Sequence, residues 1–208
     1  FKNKKSGNYS DVAAFSMNPM KCLNGYGEGG LVATNNKKLY EKIKILRYAG
    51  TTSDPKKLIT NNCMEISLNH KMDTINAAML LVSFKFFNKK NDKLKEIRKF
   101  YDKNLNKKIL RQKIRKYETP GMYAYPIRID NRNKIKQFLD KKKIETKIWN
   151  DPLISDSPAY KRFNKNDTPN AKKVLMKTLN IPFHEKLTLK ELHYVVDNIN
   201  YLVKKFKI

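Results

Sequence analysis

The chain has 208 residues, 40% of them hydrophobic, and a formal net charge of +26. This length allows a packed core in one large domain or two small ones. No apolar run is long enough to cross a bilayer and no signal peptide is recognisable, so we expect a cytoplasmic protein without a membrane partner. Because the sequence begins at Phe1 and not at methionine, we expect a fragment or a processed product.

The strongly basic balance suits polyanionic partners, namely nucleic acid, acidic membrane or phosphorylated substrates. Most of the basic residues are lysine, and they are scattered along the whole chain. Proteins that read base edges or bind phosphate in bidentate fashion favour arginine. We therefore predict no nucleic-acid partner. A basic nucleic-acid-binding domain remains an alternative, and it predicts tight, steeply salt-dependent binding to oligonucleotides.

The cysteines and histidines have no spacing typical of a metal site. Cys22 and Cys63 lie far apart, and His70, His184 and His193 form no HxxxH pattern. The sequence therefore predicts free thiols in a reducing compartment and no bound metal.

The stretch from Phe15 to Thr34 is predicted to be a strand, an irregular loop and a second strand. The apolar runs Val12–Ser16 and Leu31–Thr34 are the strand candidates. Between them lies Lys21, and the loop contains several glycines, which permit positive φ and close approach of backbone to a ligand. A lysine on such a loop forms a Schiff base if its amine is desolvated. From these residues alone, a glycine hairpin with a solvated lysine remains the alternative.

The following segment is predicted to contain two helices separated by a loop. Asn35 or Asn36 caps a first helix, which Gly50 ends. Its apolar stripe, predicted to pack in the core, consists of Leu39, Ile43 and Leu46. Residues 51–68 are predicted to be a polar loop, and Asp73 to cap a long helix. Apolar side chains on its first half are predicted to make core or dimer contacts; they are Ile75, Ala78, Met79, Val82 and Phe86. Its second half is strongly charged and carries a thinner apolar stripe of Leu94, Ile97, Phe100, Tyr101 and Leu105.

The remaining chain alternates between strand and helix patterns. Met122–Ile129 and Ile144–Trp149 are strand candidates, with a short helix capped by Asn131 between them. A further helix starts at Pro169, with an inner face of Ala171, Val174, Leu175 and Leu179. The spacing of Thr188–Glu191 is that of a capping box, and it opens a final amphipathic helix.

The lysine stretch resembles the cofactor-lysine motif of the DegT/DnrJ/EryC1/StrS family, the sugar aminotransferases that use pyridoxal phosphate. The family pattern is roughly F-S-x-x-x-x-K-x-[LI]-x-x-G-[ED]-G-G-x-[VI]-x-T. The matching residues are Phe15, Ser16, Lys21, Leu23, Gly27, Glu28, Gly29, Gly30, Val32 and Thr34. So many matches at fixed spacing make the resemblance specific.

The resemblance implies roles for three residues. Lys21 is implied to hold pyridoxal phosphate covalently and, once freed, to act as the general base that moves the proton. Ser16 is implied to bind the cofactor phosphate. Asn69 lies in a stretch that resembles the family's G-x-N-x-R-M motif, with Ser67 and Lys71 in place of its glycine and arginine. It is implied to reach across a homodimer interface to the partner's cofactor phosphate.

The resemblance also implies an α/β architecture, that of a fold-type I pyridoxal-phosphate-dependent transferase. The chain would hold an incomplete large α/β domain plus a smaller C-terminal α/β domain. Residues 1–87 would be the C-terminal part of the cofactor-binding large domain, 88–105 a connecting helix, and 106–208 the small domain. The family's acidic cofactor motif precedes the lysine in the chain and is absent from this sequence.

The implied function is transfer of an amino group, with glutamate as the expected donor, to a keto group on a nucleotide-linked sugar. Such an enzyme would serve cell-surface polysaccharide or amino-sugar biosynthesis. A catalytically incomplete fragment of such an enzyme is the alternative. An upstream segment in the same reading frame that carries the acidic motif would exclude it. In relatives the loop with Trp149 and Asp151 approaches the active site, but we favour structural roles for both and for His184.

Overall fold

The computed structural model describes residues 1–54, 59–163 and 167–206. The chain divides into two compact units, Phe1–Asn88 with Lys116–Thr119 and Lys89–Arg115 with Pro120–Ile208. The strands are β1 Ala13–Ser16, β2 Gly30–Ala33, β3 Thr51–Asp54, β4 Ile59–Cys63, β5 Leu110–Arg111, β6 Tyr125–Arg128 and β7 Thr178–Ile181. The α-helices are α1 Lys37–Arg47, α2 Thr74–Asn104, α3 Arg132–Lys141, α4 Pro169–Leu175 and α5 Leu189–Lys205. Among the described residues, every helix is too short or too polar to span a membrane.

The first unit begins with the predicted pair of strands. β1 and β2 are antiparallel, with Ala13 opposite Ala33 and Ser16 opposite Gly30. Both strands agree with the predicted bounds to within one residue. The predicted strand, loop and strand are therefore confirmed, and the pairing holds the two ends of the intervening loop together.

Helix α1 starts and stops as predicted. The Asn36 side-chain oxygen accepts hydrogen bonds from the amides of Lys38 and Leu39, at 2.9 and 3.3 Å. At the other end Gly50 has φ +70°, and its amide donates to the Ile45 carbonyl. The core prediction for its apolar stripe was wrong, because α1 has no fully buried residue. The stripe is half-buried within the first unit.

A hairpin replaces the polar loop predicted over residues 51–68, so that prediction was wrong. β3 pairs with β4, with Thr51 opposite Cys63 and Thr52 opposite Asn62. Residues 55–58 of the predicted loop lie outside the described part of the chain. Backbone hydrogen bonds can build such a ladder from polar residues, which show no apolar alternation for a sequence pattern to detect.

Helix α2 is one continuous element from Thr74 to Asn104. Its cap is confirmed, because the Asp73 carboxylate accepts from the Asn76 amide at 2.7 Å. On the first half, four of the apolar side chains are exposed in the described chain: Ile75, Met79, Val82 and Phe86. On the second half, the predicted stripe is buried in the second unit and includes Leu94, Ile97, Tyr101 and Leu105.

The second unit is built on the antiparallel sheet β5-β6-β7, with α3, α5 and the end of α2 supplying the rest of its core. The predicted strand over Met122–Ile129 is confirmed as the shorter β6. The strand predicted over Ile144–Trp149 was wrong. Only Lys147 of that segment pairs, as an isolated bridge to Asn180. A single bridge satisfies one residue's backbone without extending the sheet.

The three helices of the second unit start close to their predicted caps. Asn131 precedes α3 with φ 57°, but its side chain makes no capping hydrogen bond. α4 begins at Pro169 as predicted, but it contributes no fully buried residue, so the inner face predicted for this helix was wrong. Leu179 is buried, but it belongs to β7 and not to the helix. The capping box of Thr188–Glu191 is present and opens α5.

Candidate active site

Lys21 lies on a loop that two backbone hydrogen bonds close. The Met17 amide donates to the Gly29 carbonyl and the Gly25 amide to the Met17 carbonyl, both at 2.8 Å. The second bond encloses residues 18–24, called the lysine loop below. Lys21 is half-buried near its middle, and its amide donates to the Asn18 carbonyl at 2.9 Å. The β1–β2 pairing and these hydrogen bonds thus place Lys21 on a short loop whose two ends are held together.

Asn18 connects Ser16 to the lysine loop. The Ser16 hydroxyl oxygen accepts from the Asn18 amide at 3.4 Å, and the Asn18 side-chain oxygen accepts from the Met20 amide at 2.9 Å. The Asn18 side-chain amide also donates to a Glu28 carboxylate oxygen at 2.6 Å. Ser16 and Lys21 are therefore both bonded to the backbone of one residue. The sequence reading assigned Glu28 no role, and the structure shows that it braces the loop.

The glycines that follow the lysine loop are explained by packing. The glycine segment, residues 25–30, contains no glycine with positive φ. A Cβ atom at Gly25 would lie 2.6 Å from the side-chain oxygen of Asn76, and one at Gly29 would lie 2.4 Å from the Met72 methyl carbon. The positive φ that glycine permits is therefore not used here. Gly25 must be small because Asn76 at the start of α2 lies against it, whereas the Met72 methyl group near Gly29 is the end of a flexible side chain that can move.

Asn76 is a further residue of this site for which the sequence predicted no role. Its side chain is 5% exposed. Its oxygen accepts from the amides of Tyr26 and Gly27 at 2.9 and 3.3 Å, and its nitrogen donates to the Glu28 carbonyl at 3.1 Å. The available signal was a polar residue within the apolar first half of α2, where a buried side chain needs partners.

Asn69 is placed by a different set of contacts. It forms an isolated bridge with Tyr48, and its side-chain oxygen accepts from the Lys71 amide at 3.2 Å. The Lys71 amine lies 3.9 Å from the centre of the Tyr48 ring. Asn69 itself is exposed. An exposed amide beside a lysine suits an anion brought from outside the unit, and its assignment to phosphate stays a prediction.

The groups at the lysine loop fit pyridoxal phosphate. A primary amine is the group that reacts with an aldehyde, and Lys21 supplies one. The Ser16 hydroxyl is exposed and accepts a hydrogen bond from Asn18, so its own proton can be donated to a phosphate oxygen. Among the described residues, no group of three or more His, Cys, Asp or Glu side chains could hold a metal ion.

The second unit contains a cavity of about 370 Å³, lined in part by Trp149 and His184. Trp149 stacks on Tyr123, with ring centroids 5.1 Å apart. Asp151 instead pairs with the buried Arg132, whose guanidinium nitrogen lies 3.2 Å from a carboxylate oxygen. The aromatic pair and the ion pair give Trp149 and Asp151 structural contacts within this unit.

The model of the DegT/DnrJ/EryC1/StrS aminotransferase family matches residues 1–200. The chain belongs to this family. The cofactor of the family is pyridoxal phosphate, which agrees with the groups found at the lysine loop. The suspected family and the fold class are both confirmed.

Curated relatives cover the chain almost completely. It is 28% identical over its whole length to a UDP-4-amino-4,6-dideoxy-N-acetyl-beta-L-altrosamine transaminase of Campylobacter jejuni, and covers 56% of that protein. It is 26% identical to a UDP-2-acetamido-2-deoxy-3-oxo-D-glucuronate aminotransferase of Pseudomonas aeruginosa, over 90% of this chain and 50% of that one. The chain thus spans about half the length of the relatives it matches.

Solved structures show the same fold. PseC of Helicobacter pylori, an aminotransferase of pseudoaminic acid biosynthesis, superposes with a TM-score of 0.86 at 22% identity, covering 99% of this chain and 57% of PseC. S. venezuelae DesV, solved with a ketimine intermediate, gives a TM-score of 0.87 at 22% identity, covering 98% of this chain and 54% of DesV. The chain therefore has the fold of the later half of a fold-type I transferase.

Proposed function

We propose that this chain forms the lysine-bearing part of a pyridoxal-phosphate-dependent aminotransferase that acts on a keto group of a nucleotide-linked sugar. The observation that carries the proposal is the position of Lys21 on a loop closed by the Gly25–Met17 hydrogen bond, in a chain of this family. The relatives named above act on UDP-linked sugars. Glutamate as donor and a role in surface polysaccharide or amino-sugar biosynthesis belong to the same proposal.

Lys21 and Ser16 then have separate roles. Pyridoxal phosphate, when bound, supplies the electron sink for chemistry at the carbon that bears the amino group. Lys21 would hold the cofactor covalently through Nζ, and once the amine of the substrate has displaced it, the same nitrogen would take the proton from that carbon and give it back later in the transfer. The Ser16 hydroxyl donates to the cofactor phosphate. These two roles need only groups that the lysine loop and β1 already hold together.

A homodimer is the assembly we propose, with Asn69 serving the cofactor phosphate of the partner subunit. Its exposure supports this, since a side chain that serves another subunit has to be accessible in the isolated chain. The exposed apolar side chains on the first half of α2 also favour a further contact surface. We further propose the division into residues 1–87, 88–105 and 106–208 as functional parts.

The first test is chemical labelling. The purified chain is mixed with pyridoxal phosphate and reduced with borohydride, and the modified lysines are mapped by mass spectrometry. We expect stoichiometric labelling at Lys21, its loss in Lys21→Ala, and no change in Lys37→Ala, which removes an exposed lysine of the same unit. Dispersed labelling over many lysines would show that this chain alone makes no cofactor site, as the incomplete-fragment alternative predicts.

A second measurement addresses the substrate. Amino transfer from glutamate to a UDP-linked keto sugar is followed by the formation of 2-oxoglutarate, with the unlinked keto sugar as control. We expect turnover only with the nucleotide-linked sugar and none in Lys21→Ala. Where the reading frame extends upstream of residue 1, both assays are repeated on the longer polypeptide. Labelling there without turnover would retain the cofactor assignment and overturn the substrate assignment.

A further inference from the structure

We propose that Asn76 is a positioning residue, which anchors the backbone that carries Lys21. The proposal rests on the proposed function, because it gives Asn76 its purpose through Lys21. Asn76 lies on α2, some fifty positions further along the chain than the loop it holds. It is not among the residues to which the family resemblance gave a role.

The side-chain amide of Asn76 forms hydrogen bonds with three consecutive residues of the glycine segment. The oxygen accepts from the amides of Tyr26 and Gly27, and the nitrogen donates to the Glu28 carbonyl. A backbone in this irregular segment has no strand partner to satisfy these groups, and a buried unpaired amide or carbonyl is costly. The Asn76 side chain therefore provides the hydrogen bonds that a neighbouring strand would provide in a sheet.

Asn76 is itself held in place. It is 5% exposed, and its backbone amide donates to the Asp73 carboxylate at 2.7 Å in the first turn of α2. Gly25 lies so close that an added Cβ would reach 2.6 Å from the Asn76 oxygen. A side chain packed this tightly has few alternative rotamers, so it can transmit the position of α2 to the glycine segment.

Two backbone hydrogen bonds connect the segment held by Asn76 to the lysine loop. The anchored residues adjoin Gly25, whose amide closes the lysine loop on the Met17 carbonyl at 2.8 Å. Met17 is buried, and its amide is bonded to Gly29 at the other end of the glycine segment. Release of Tyr26 and Gly27 from Asn76 therefore loosens both bonds that define the lysine loop.

The direct test is amide hydrogen exchange on the cofactor-free chain, for wild type, Asn76→Ala, Asn76→Asp and Asn88→Ala. Asn88 is an exposed asparagine on the same helix and serves as the matched control. In Asn76→Ala we expect the Tyr26 and Gly27 amides to exchange roughly tenfold faster, as for loss of a buried hydrogen bond. The amides of α1 should exchange as in wild type, which separates a local change from general loss of stability.

Asn76→Asp provides the rescue. It keeps an acceptor oxygen for Tyr26 and Gly27, but it places a second acceptor oxygen against the Glu28 carbonyl and adds a carboxylate at a buried position. We therefore expect exchange of these two amides between that of wild type and that of Asn76→Ala. Exchange at Tyr26 and Gly27 equal to wild type in Asn76→Ala would overturn the proposal, and so would acceleration spread equally over α1.

Gly25→Ala in the wild-type background keeps the proposal testable if Asn76→Ala folds poorly, and where Asn76→Ala folds, the two substitutions form a double-mutant cycle. In wild type, Gly25→Ala forces a Cβ against the Asn76 oxygen, whereas in Asn76→Ala that oxygen is absent. We expect Gly25→Ala to accelerate exchange at Tyr26 and Gly27 strongly in the first background and weakly in the second. Equal effects in both backgrounds would mean that Asn76 does not hold this segment.

Labelling then links the anchor to Lys21. We expect cofactor fixed at Lys21 by borohydride to fall about fivefold or more in Asn76→Ala at equal cofactor concentration, to recover in part in Asn76→Asp and to be unchanged in Asn88→Ala. If wild type itself does not label, the proposed function fails for this chain, while the exchange data still decide the anchoring. If wild type labels and all variants label equally, the positioning role fails and the proposed function stands.

Discussion

The side-chain amide of Asn18 donates a 2.6 Å hydrogen bond to the carboxylate of Glu28. Asn18 is the first residue of the lysine loop, and Glu28 lies in the glycine segment that follows the loop. The bond therefore joins the start of the loop to the segment beyond its end. Glu28→Ala removes this acceptor and should let the turn at Asn18 move. The backbone amide of Lys21 donates to the Asn18 carbonyl, so Lys21 should move with the turn. We expect borohydride-fixed cofactor at Lys21 to fall severalfold, because the Asn18 side-chain amide then has no acceptor at this position.

Glu28→Gln is the matched variant, because it keeps an oxygen acceptor and removes only the charge. We expect it to label close to wild type. Equal loss in Glu28→Ala and Glu28→Gln would show that the negative charge matters and not the brace. The measurement is the labelled fraction of the Lys21 peptide at a fixed time and cofactor concentration.

The sequence identified the lysine loop because its signal is local. Strand pattern, glycines and a lysine at fixed spacing all lie between Phe15 and Thr34. A polar residue in the apolar first half of α2 could have indicated Asn76 as a buried side chain, but no local pattern could show that its partners lie some fifty positions earlier in the chain. The β3–β4 hairpin was missed for a different reason, because its partners Thr52 and Asn62 are polar and give no apolar alternation.

Core positions and caps followed from periodicity and residue type, as at Thr188–Glu191 and on the second half of α2. The core prediction failed for α1, where the apolar stripe is present but only half-buried. An amphipathic pattern shows which face of a helix is apolar, but whether that face is covered depends on what packs against it. The chain spans only about half of its relatives.

Gly50 should not tolerate a side chain. Its φ is +70°, and an added Cβ would lie 1.8 Å from the Glu65 carbonyl oxygen. That carbonyl belongs to the stretch after β4, whose residue Met64 also bonds to the Gly50 carbonyl. We expect Gly50→Ala to lower the free energy of unfolding by at least about 2 kcal/mol, through a strained backbone and a displaced chain. Urea unfolding followed by circular dichroism measures the change.

Gly121 is the control for this substitution. Its φ is not in the left-handed region, and nothing lies within 4 Å of an added Cβ. We expect Gly121→Ala to change the free energy of unfolding by less than about 0.5 kcal/mol. If both substitutions cost the same, the loss in Gly50→Ala does not come from the contact with Glu65.

Asp151 should act on stability and not on catalysis. The Arg132 side chain is 7% exposed, and its guanidinium bonds the Asp151 carboxylate and the Leu175 carbonyl, at 3.2 and 2.8 Å. Asp151→Asn weakens the charged pair while keeping an oxygen acceptor. Since Asp151 is itself 45% exposed, solvent screens the pair, and we expect a loss of about 1 kcal/mol or less in the free energy of unfolding.

The rate of amino transfer distinguishes the two interpretations of Asp151. A structural residue leaves kcat and KM for the sugar unchanged when the variant is folded. A residue that contacts substrate raises KM or lowers kcat at unchanged stability. The second pattern in Asp151→Asn would contradict the assignment made here.

The capping box of α5 predicts a pH dependence of stability. The Thr188 backbone amide and the Thr188 hydroxyl both donate hydrogen bonds to the Glu191 carboxylate. These bonds lower the pKa of Glu191 below its usual 4.5, and the backbone amide has the larger effect. A pKa that is lower in the folded state stabilises the fold above the unfolded-state pKa, and this contribution is lost as the pH falls through the folded-state pKa. Glu191→Gln removes the titration. We therefore expect wild type to exceed Glu191→Gln in stability most clearly above pH 4.5, with the difference shrinking on acidification.

Urea unfolding of both proteins over a pH series measures that difference directly, and subtraction removes every titration they share. Glu145→Gln is the control, since Glu145 is an exposed glutamate of the same unit. Thr188→Ala removes the hydroxyl donor as well as the cap of the Glu191 amide, and should cost about 1 kcal/mol at neutral pH. A difference between wild type and Glu191→Gln that stays constant with pH would show that the hydrogen bonds to Glu191 do not favour its charged form.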